Sequence, residues 1–180
     1  MLTNQARLII AGIFLLMLGF FIYQQVFQLA GVALMFTLLL VWGYFKEGPV
    51  VMAAKSFHDK DYDKTERLLK SVNNPAWLSR KRRGFYEFML GSVHLQRQDF
   101  DEAEKHFELA IQYPLRSVND HVAALAHVAN ISIRQHNYEK AEAYLRLAGK
   151  YMEQTTAKMK SVLERLHTEL KQHQIKERQA

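Results

Sequence analysis

The chain has 180 residues, with 24 lysines and arginines against 18 aspartates and glutamates, and a formal net charge of +6. That length admits one modest domain plus a smaller segment. It carries no cysteine, which rules out disulfides and thiolate metal sites.

From Leu8 to Phe45 there is no charged residue and nearly every position is apolar. One bilayer crossing needs about 20 residues, so the run is too long for one span. The segment Gln24-Gln25-Val26-Phe27-Gln28 divides it into Leu8–Tyr23 and Leu29–Phe45. Extending the first part back through Ala6 and on into Val26 gives each crossing an adequate length. Tyr23, Trp42 and Tyr44 fall near segment ends, where amphipathic rings favour the headgroup level. Residues 1–46 therefore read as a two-helix transmembrane hairpin. A cleaved signal peptide would use Arg7 and Leu8–Phe21, but no small-x-small site follows and a second apolar run comes at once. A hairpin dipping into one leaflet is the other alternative, because both segments are short.

Arg7 is the only charge before Lys46, the inter-helix turn is uncharged, and Lys55, Lys60 and Lys64 follow closely. Cations stay on the cytoplasmic side. The expectation is a multi-pass protein of the inner (cytoplasmic) membrane, with both termini and everything after residue 46 in the cytoplasm. Gly48-Pro49 is expected to punctuate the junction, with Pro49 in the first turn of a new helix.

Beyond it the sequence echoes itself every 38 residues. Asp61-Tyr62-Asp63-Lys64 recurs as Asp99-Phe100-Asp101-Glu102 and as Asn137-Tyr138-Glu139-Lys140. Each copy follows one helical pattern and opens another. The second copy has Leu90-Gly91 before the echo, then Phe100, Ala103, Phe107 and Ala110; the third has Val128-Ala129, then Tyr138, Ala141, Leu145 and Ala148. The first has Met52-Ala53, then Tyr62, Thr65, Leu69 and Val72. Two helices crossing closely need the small residues, and the bulky ones fill the gaps between units. A period in this range marks stacked helical repeats.

This pattern resembles the tetratricopeptide repeat (TPR), over roughly residues 46–151. The likeness is specific in the second and third copies and degenerate in the first, where Thr65 and Val72 replace alanines. The period is four longer than the family's usual 34 residues, and the extra length lies before each first helix, as longer helices or longer loops. The implied fold class is all-α: the hairpin, a TPR-like α-solenoid of about three helix pairs (47–74, 75–113 and 117–151), and a C-terminal capping helix. Helix starts are signalled at Asn74-Pro75 or Ser79, and at Asn119 or Asp120. Thr155 or Thr156 opens the last helix, 155–176, with Met159, Val162, Leu163, Leu166 and Leu170 on one stripe. It reads as a cap, or alternatively as a partner-binding helix, and residues 177–180 as a frayed tail.

Two candidate sites follow. Arg80, Lys81, Arg82 and Arg83 form the strongest charge run in the chain, at a helix start whose dipole opposes them. They read either as a contact to anionic lipid headgroups or as a solvated basic turn; without an aromatic platform or helix-turn-helix pattern, nucleic acid is not expected. By the family's register, the first helix of each pair lines an inner groove. That implies Phe85, Phe88, Ser92, Leu95 and Gln96, then Ala123, Ala126, Asn130, Ile133 and Arg134, with Val50, Ala54 and Phe57 from the first unit. Such a groove takes a peptide, unless its residues pack against the capping helix instead. The family's carboxylate clamp is matched only by Asn130, with no groove lysine.

No catalytic or metal pattern stands out. The eight histidines show no His-x-x-x-His spacing, and Asp59-x-Asp61-x-Asp63 has Lys64 and Lys70 where a calcium loop needs glycine and glutamate. His94 reads as a core histidine. No cofactor is expected. The resemblance implies a non-enzymatic, membrane-anchored adaptor or scaffold that recruits or stabilises a protein partner. The alternative is a structural subunit of a membrane complex that meets its partners through the hairpin, where Gly12, Gly19, Gly31 and Gly43 permit close helix contact.

Overall fold

A computed structural model describes residues 4–179. Residues 1–3 and 180, and the side chains at 4–8, 44–47 and 176–179, lie outside the described residues; these include Arg7, Tyr44, Lys46 and Glu47. The described chain is all-helical, with eight α-helices and two short 3-10 turns.

Helices α1 (Asn4–Tyr23) and α2 (Phe27–His58) pack along each other. Their seam buries Ala30, Ala33 and Thr37. The Thr37 hydroxyl donates to the Ala33 carbonyl at 2.9 Å, and Phe14 stacks on Phe36 with ring centroids 5.5 Å apart. Large apolar side chains point outward instead, among them Ile13, Leu16, Phe20, Leu38 and Leu39. Contiguous apolar surface of this kind marks a contact with a membrane or with another protein. Helix α2 is long and apolar enough to cross a membrane, and α1 contributes a shorter apolar stretch, Ile9–Tyr23.

The expected break at Gly48-Pro49 is absent: α2 runs through it as one helix of 32 residues, about 48 Å at 1.5 Å per residue. Proline removes one N–H bond and crowds the residue before it. Gly48, without a Cβ, relieves that crowding. Tertiary burial supplies the rest, because Val50 and Ala53, just downstream, pack into a core with Leu69, Leu78, Met89 and Leu90. The first repeat helix and the second apolar helix are thus one rod.

The remaining helices are α3 (Tyr62–Lys70), α4 (Arg80–Gln96), α5 (Phe100–Ile111), α6 (Val118–Arg134), α7 (Tyr138–Gly149) and α8 (Ala157–Gln179). Each packs against its neighbours in the chain. The 38-residue echo is a turn: Lys60, Gln98 and His136 occupy the left-handed region at φ 59°, 62° and 60°. In each case the next N–H reaches back five residues, from Asp61 to Ser56, Asp99 to His94 and Asn137 to Ser132, at 2.9, 3.0 and 2.8 Å. This closes the preceding helix as a Schellman turn. Asp61 and Asn137 then accept from the backbone N–H groups of Lys64 and Lys140, starting the next helix.

A non-glycine residue in the left-handed region costs about 1–2 kcal/mol, and glycine returns about 0.5–1 of that in lost chain entropy. Gln98→Gly is therefore expected to stabilise the fold by about 0.5–1 kcal/mol. A urea titration of the detergent-solubilised chain, followed by circular dichroism, checks this.

Packing follows the small–large pattern. A Cβ at Gly91 would meet the Phe107 ring at 3.0 Å, so glycine lets α4 and α5 close together. Ala103, Ala110, Ala129, Ala141 and Ala148 are fully buried. The Thr65 that breaks the pattern in the first unit is buried at no polar cost, since its hydroxyl donates to the Asp61 carbonyl at 2.7 Å. Units are also tied by one contact repeated a period apart: Arg97 to Asp63 at 2.9 Å and Gln135 to Asp101 at 2.7 Å. Ser117, rather than Asn119 or Asp120, caps α6, while Asn119 accepts from the Thr156 N–H at 3.1 Å. That bond ties α6 to the start of α8, which covers the far end. There Leu163, Leu166 and Leu170 share a core with Val122, Ala129, Ile133 and Leu145.

Candidate functional site

Four helices, α2, α3, α4 and α6, line one open concavity. The C-terminal end of α2 and the start of α3 supply Ala54, Phe57, His58, Lys60 and Tyr62; α4 supplies Phe85 and Phe88; the approach to α6 supplies Arg116, Ser117 and Asp120. The groove has a volume of about 870 Å³. Its floor is aromatic: Phe57 meets Tyr62 and Phe88 edge-on at 6.0 and 6.3 Å, and Phe85 stacks on Phe88 at 6.4 Å. Lys60, Arg116 and Asp120 add charged groups to its lining. An apolar floor with a few charged points is the kind of lining that peptide grooves use.

Of the groove residues named from the sequence, Phe85 and Phe88 come together here with Ala54 and Phe57. The others do not. Ala126 is only 5% exposed and packs in the core that α8 covers, and Val50 is buried in the first core. The Ser92 hydroxyl donates to the Phe88 carbonyl at 2.9 Å. Gln96 is exposed at the end of α4. Arg134 donates to the Asn130 side chain at 3.4 Å and lies 5.5 Å over the Phe100 ring. Tyr62, Lys60, Arg116 and Asp120 escaped the sequence reading because they sit on turns and helix starts, outside the helical register that defines inward positions.

The basic run divides. Arg83 pairs with Glu87 one turn on, at 2.5 Å, and lies over the Tyr86 ring at 5.7 Å. Glu87, with only 2% of its side chain exposed, also meets His106 at 2.6 Å. Arg83 is thus part of a buried polar network. Arg82 is half-buried, and Arg80 and Lys81 are exposed. Arg80 borders a second cleft of about 440 Å³, with Tyr113, Pro114 and Tyr151.

His127 lies beside the groove floor, 6.4 Å from the Phe88 ring. His127 stacks on Phe107 at 4.7 Å, and burial pushes its pKa down to about 4. It is neutral at pH 7. His94, half-buried, meets Asp99 at 3.0 Å and stacks on His106 at 5.3 Å. Among the described residues, no group of three or more His, Cys, Asp or Glu side chains is disposed to hold a metal ion.

Comparison with family models, curated proteins and solved structures yields no match.

The His127 shift has a defined sign. The unfolded chain takes up its proton near pH 6.5 while the folded chain resists until about pH 4, so the unfolded state binds more protons between those values. Stability from this residue is complete above about pH 6.5 and falls as pH drops through the window, by roughly 3–3.5 kcal/mol in all. His127→Phe keeps the ring stack without the titration. Urea midpoints taken from pH 7.5 to 4.5 should fall more steeply in the wild type than in the variant; parallel curves would contradict the assignment.

Proposed function

We propose that this protein is a non-enzymatic, membrane-anchored adaptor. Helices α1 and α2 form a transmembrane hairpin, and α2 through α7 form a TPR-like stack of three helix pairs capped by α8. The stack stands at the cytoplasmic face and holds a polypeptide partner in the groove floored by Phe57, Phe85 and Phe88. The observation that carries the reading is the continuity of α2. One rod joins a stretch apolar enough to span a bilayer to a core of repeated helix pairs with an open aromatic concavity. Helix-in-groove and extended-peptide recognition both use an apolar floor with a few polar fixing points.

A second reading has its own observation. A Cβ added at Gly12, Gly19 or Gly31 would meet nothing within 4 Å, so these small residues leave shallow notches on the outer surface of the α1–α2 pair. Helices of a membrane complex approach closely at such positions, and the protein would then be a structural subunit meeting partners through its hairpin.

Photo-crosslinking in the intact full chain separates the two. A benzophenone amino acid at Lys60 or Arg116, on the groove rim, should trap a discrete polypeptide, whereas one at Ile13 or Leu16 should label lipid. The reverse pattern would favour the structural subunit, and no protein adduct at any position would defeat both. Orientation has a separate test: a protease added outside intact cells should leave residues 46–180 untouched.

A further inference from the structure

Helix α3 packs back along the downstream half of α2, so the chain leaving α3 at Lys70 returns toward the apolar half of that rod. The loop that follows does not stop at the level of Pro49. Ser71, Val72, Asn73, Asn74 and Trp77 face Leu38, Val41 and Trp42 across an open cleft of about 690 Å³. Leu38 precedes Pro49 by eleven positions, about 16 Å along a helix. The loop thus lies beside the uncharged stretch of α2, below the point where the rod joins the repeats.

Both tryptophans of the chain open onto this cleft, Trp42 at 63% and Trp77 at 60% exposure. Indoles left so exposed are unusual in water, whereas the headgroup–acyl boundary accommodates the ring and hydrogen-bonds its N–H. The exposure of Trp77 is imposed by its surroundings. Pro75–Trp77 is a 3-10 turn, started by Asn74, whose side chain accepts from the Ala76 N–H at 3.0 Å. The next residue, Leu78, is locked into the core with Val50, Tyr86 and Met89. Polar Ser71, Asn73 and Asn74 rim the loop, and exposed Arg80 and Lys81 follow it. An aromatic ring, polar side chains and cations in one short segment are the groups that an anionic bilayer surface accommodates.

We propose that the Ser71–Trp77 loop is a second membrane contact, with Trp77 seated at the boundary between headgroups and acyl chains beside Trp42. This rests on the membrane-spanning reading of α2. The contact is confined to the first connecting loop, because the start of α6 shares a groove with Phe57 and His58, a turn or more further along α2 than Pro49. The repeats are therefore pinned at two points and rise away from the surface beyond them.

The experiment uses the full chain in phosphatidylcholine–phosphatidylglycerol vesicles whose acyl chains carry bromine either near the headgroup or at mid-chain. Trp42→Phe leaves Trp77 as the only fluorophore, and Trp77→Phe leaves Trp42. The lone Trp77 should lose most of its emission to shallow bromines and little to deep ones, with a blue-shifted maximum. If Trp77 emits as in water and is unquenched while Trp42 is quenched, the loop contact is wrong and α2 still spans. A blue-shifted but unquenched Trp77 would mean that a second copy of the chain covers the cleft, which also overturns the lipid assignment. An unquenched Trp42 would overturn the membrane-spanning reading along with the loop contact.

Discussion

Phe107→Ala is expected to destabilise the helix pairs by about 3–5 kcal/mol, the range for deleting a fully buried aromatic ring. Phe107 is completely buried and belongs to three helices at once. Its ring lies against the bare backbone of Gly91 on α4, edge-on to Phe88 at 5.7 Å and stacked on His127 of α6 at 4.7 Å. Truncation leaves a hole that cannot collapse, because Gly91 has no side chain to move into it. The urea midpoint of the solubilised chain, followed by circular dichroism, should drop sharply. Leu147→Ala, at a half-exposed position on α7, should move it by about 0.5 kcal/mol or less. Equal effects would mean that the α4–α5–α6 junction is not the centre of the fold.

The second large effect is electrostatic. Glu87→Ala removes a buried carboxylate that meets Arg83 at 2.5 Å and His106 at 2.6 Å. Deleting one partner of such a network strands the others in a poorly hydrated site, at a cost of about 3–5 kcal/mol for a fully buried pair. Arg83 keeps partial access to water, so a loss of about 3 kcal/mol is expected, at the lower end of that range. The double-mutant comparison is decisive. Arg83→Met should be costly alone and much less so in a Glu87→Leu background, where no charge remains to be stranded. Additive losses would show that the two side chains act independently.

The Arg83–Glu87 pair marks where sequence spacing stops being informative. Four residues apart on one helix, they were a visible ion pair, yet the eye takes Arg80 to Arg83 as a single basic patch. Burial, which sequence spacing does not report, separates the last arginine from the first two. The helical units were easier. The left-handed turns at Lys60, Gln98 and His136 recur with the spacing of the Asp-Tyr-Asp echo, because the same backbone closure demands the same cap after it. Small residues at Gly91 and Ala103 likewise state where helices touch.

Gly48-Pro49 misled for the opposite reason. Local rules read proline as a boundary, but a glycine before it and a core just after it keep the helix whole. The groove lay between these extremes. Its aromatic floor, Phe85 and Phe88, was among the positions that the resembled family's register implies, whereas Ala126 has the same register and is covered by α8. Which inward positions stay open depends on where the last helix lies, and that is a tertiary fact. Trp77 gave no periodic signal at all, since it sits in a three-residue turn.

An unbroken α2 also fixes bearing. With no swivel between the apolar half of the rod and the repeats, each residue inserted between Thr37 and Gly48 would turn the whole groove by about 100° around the rod axis and lift it by about 1.5 Å. Whatever binds there must arrive from one compass direction and at one height.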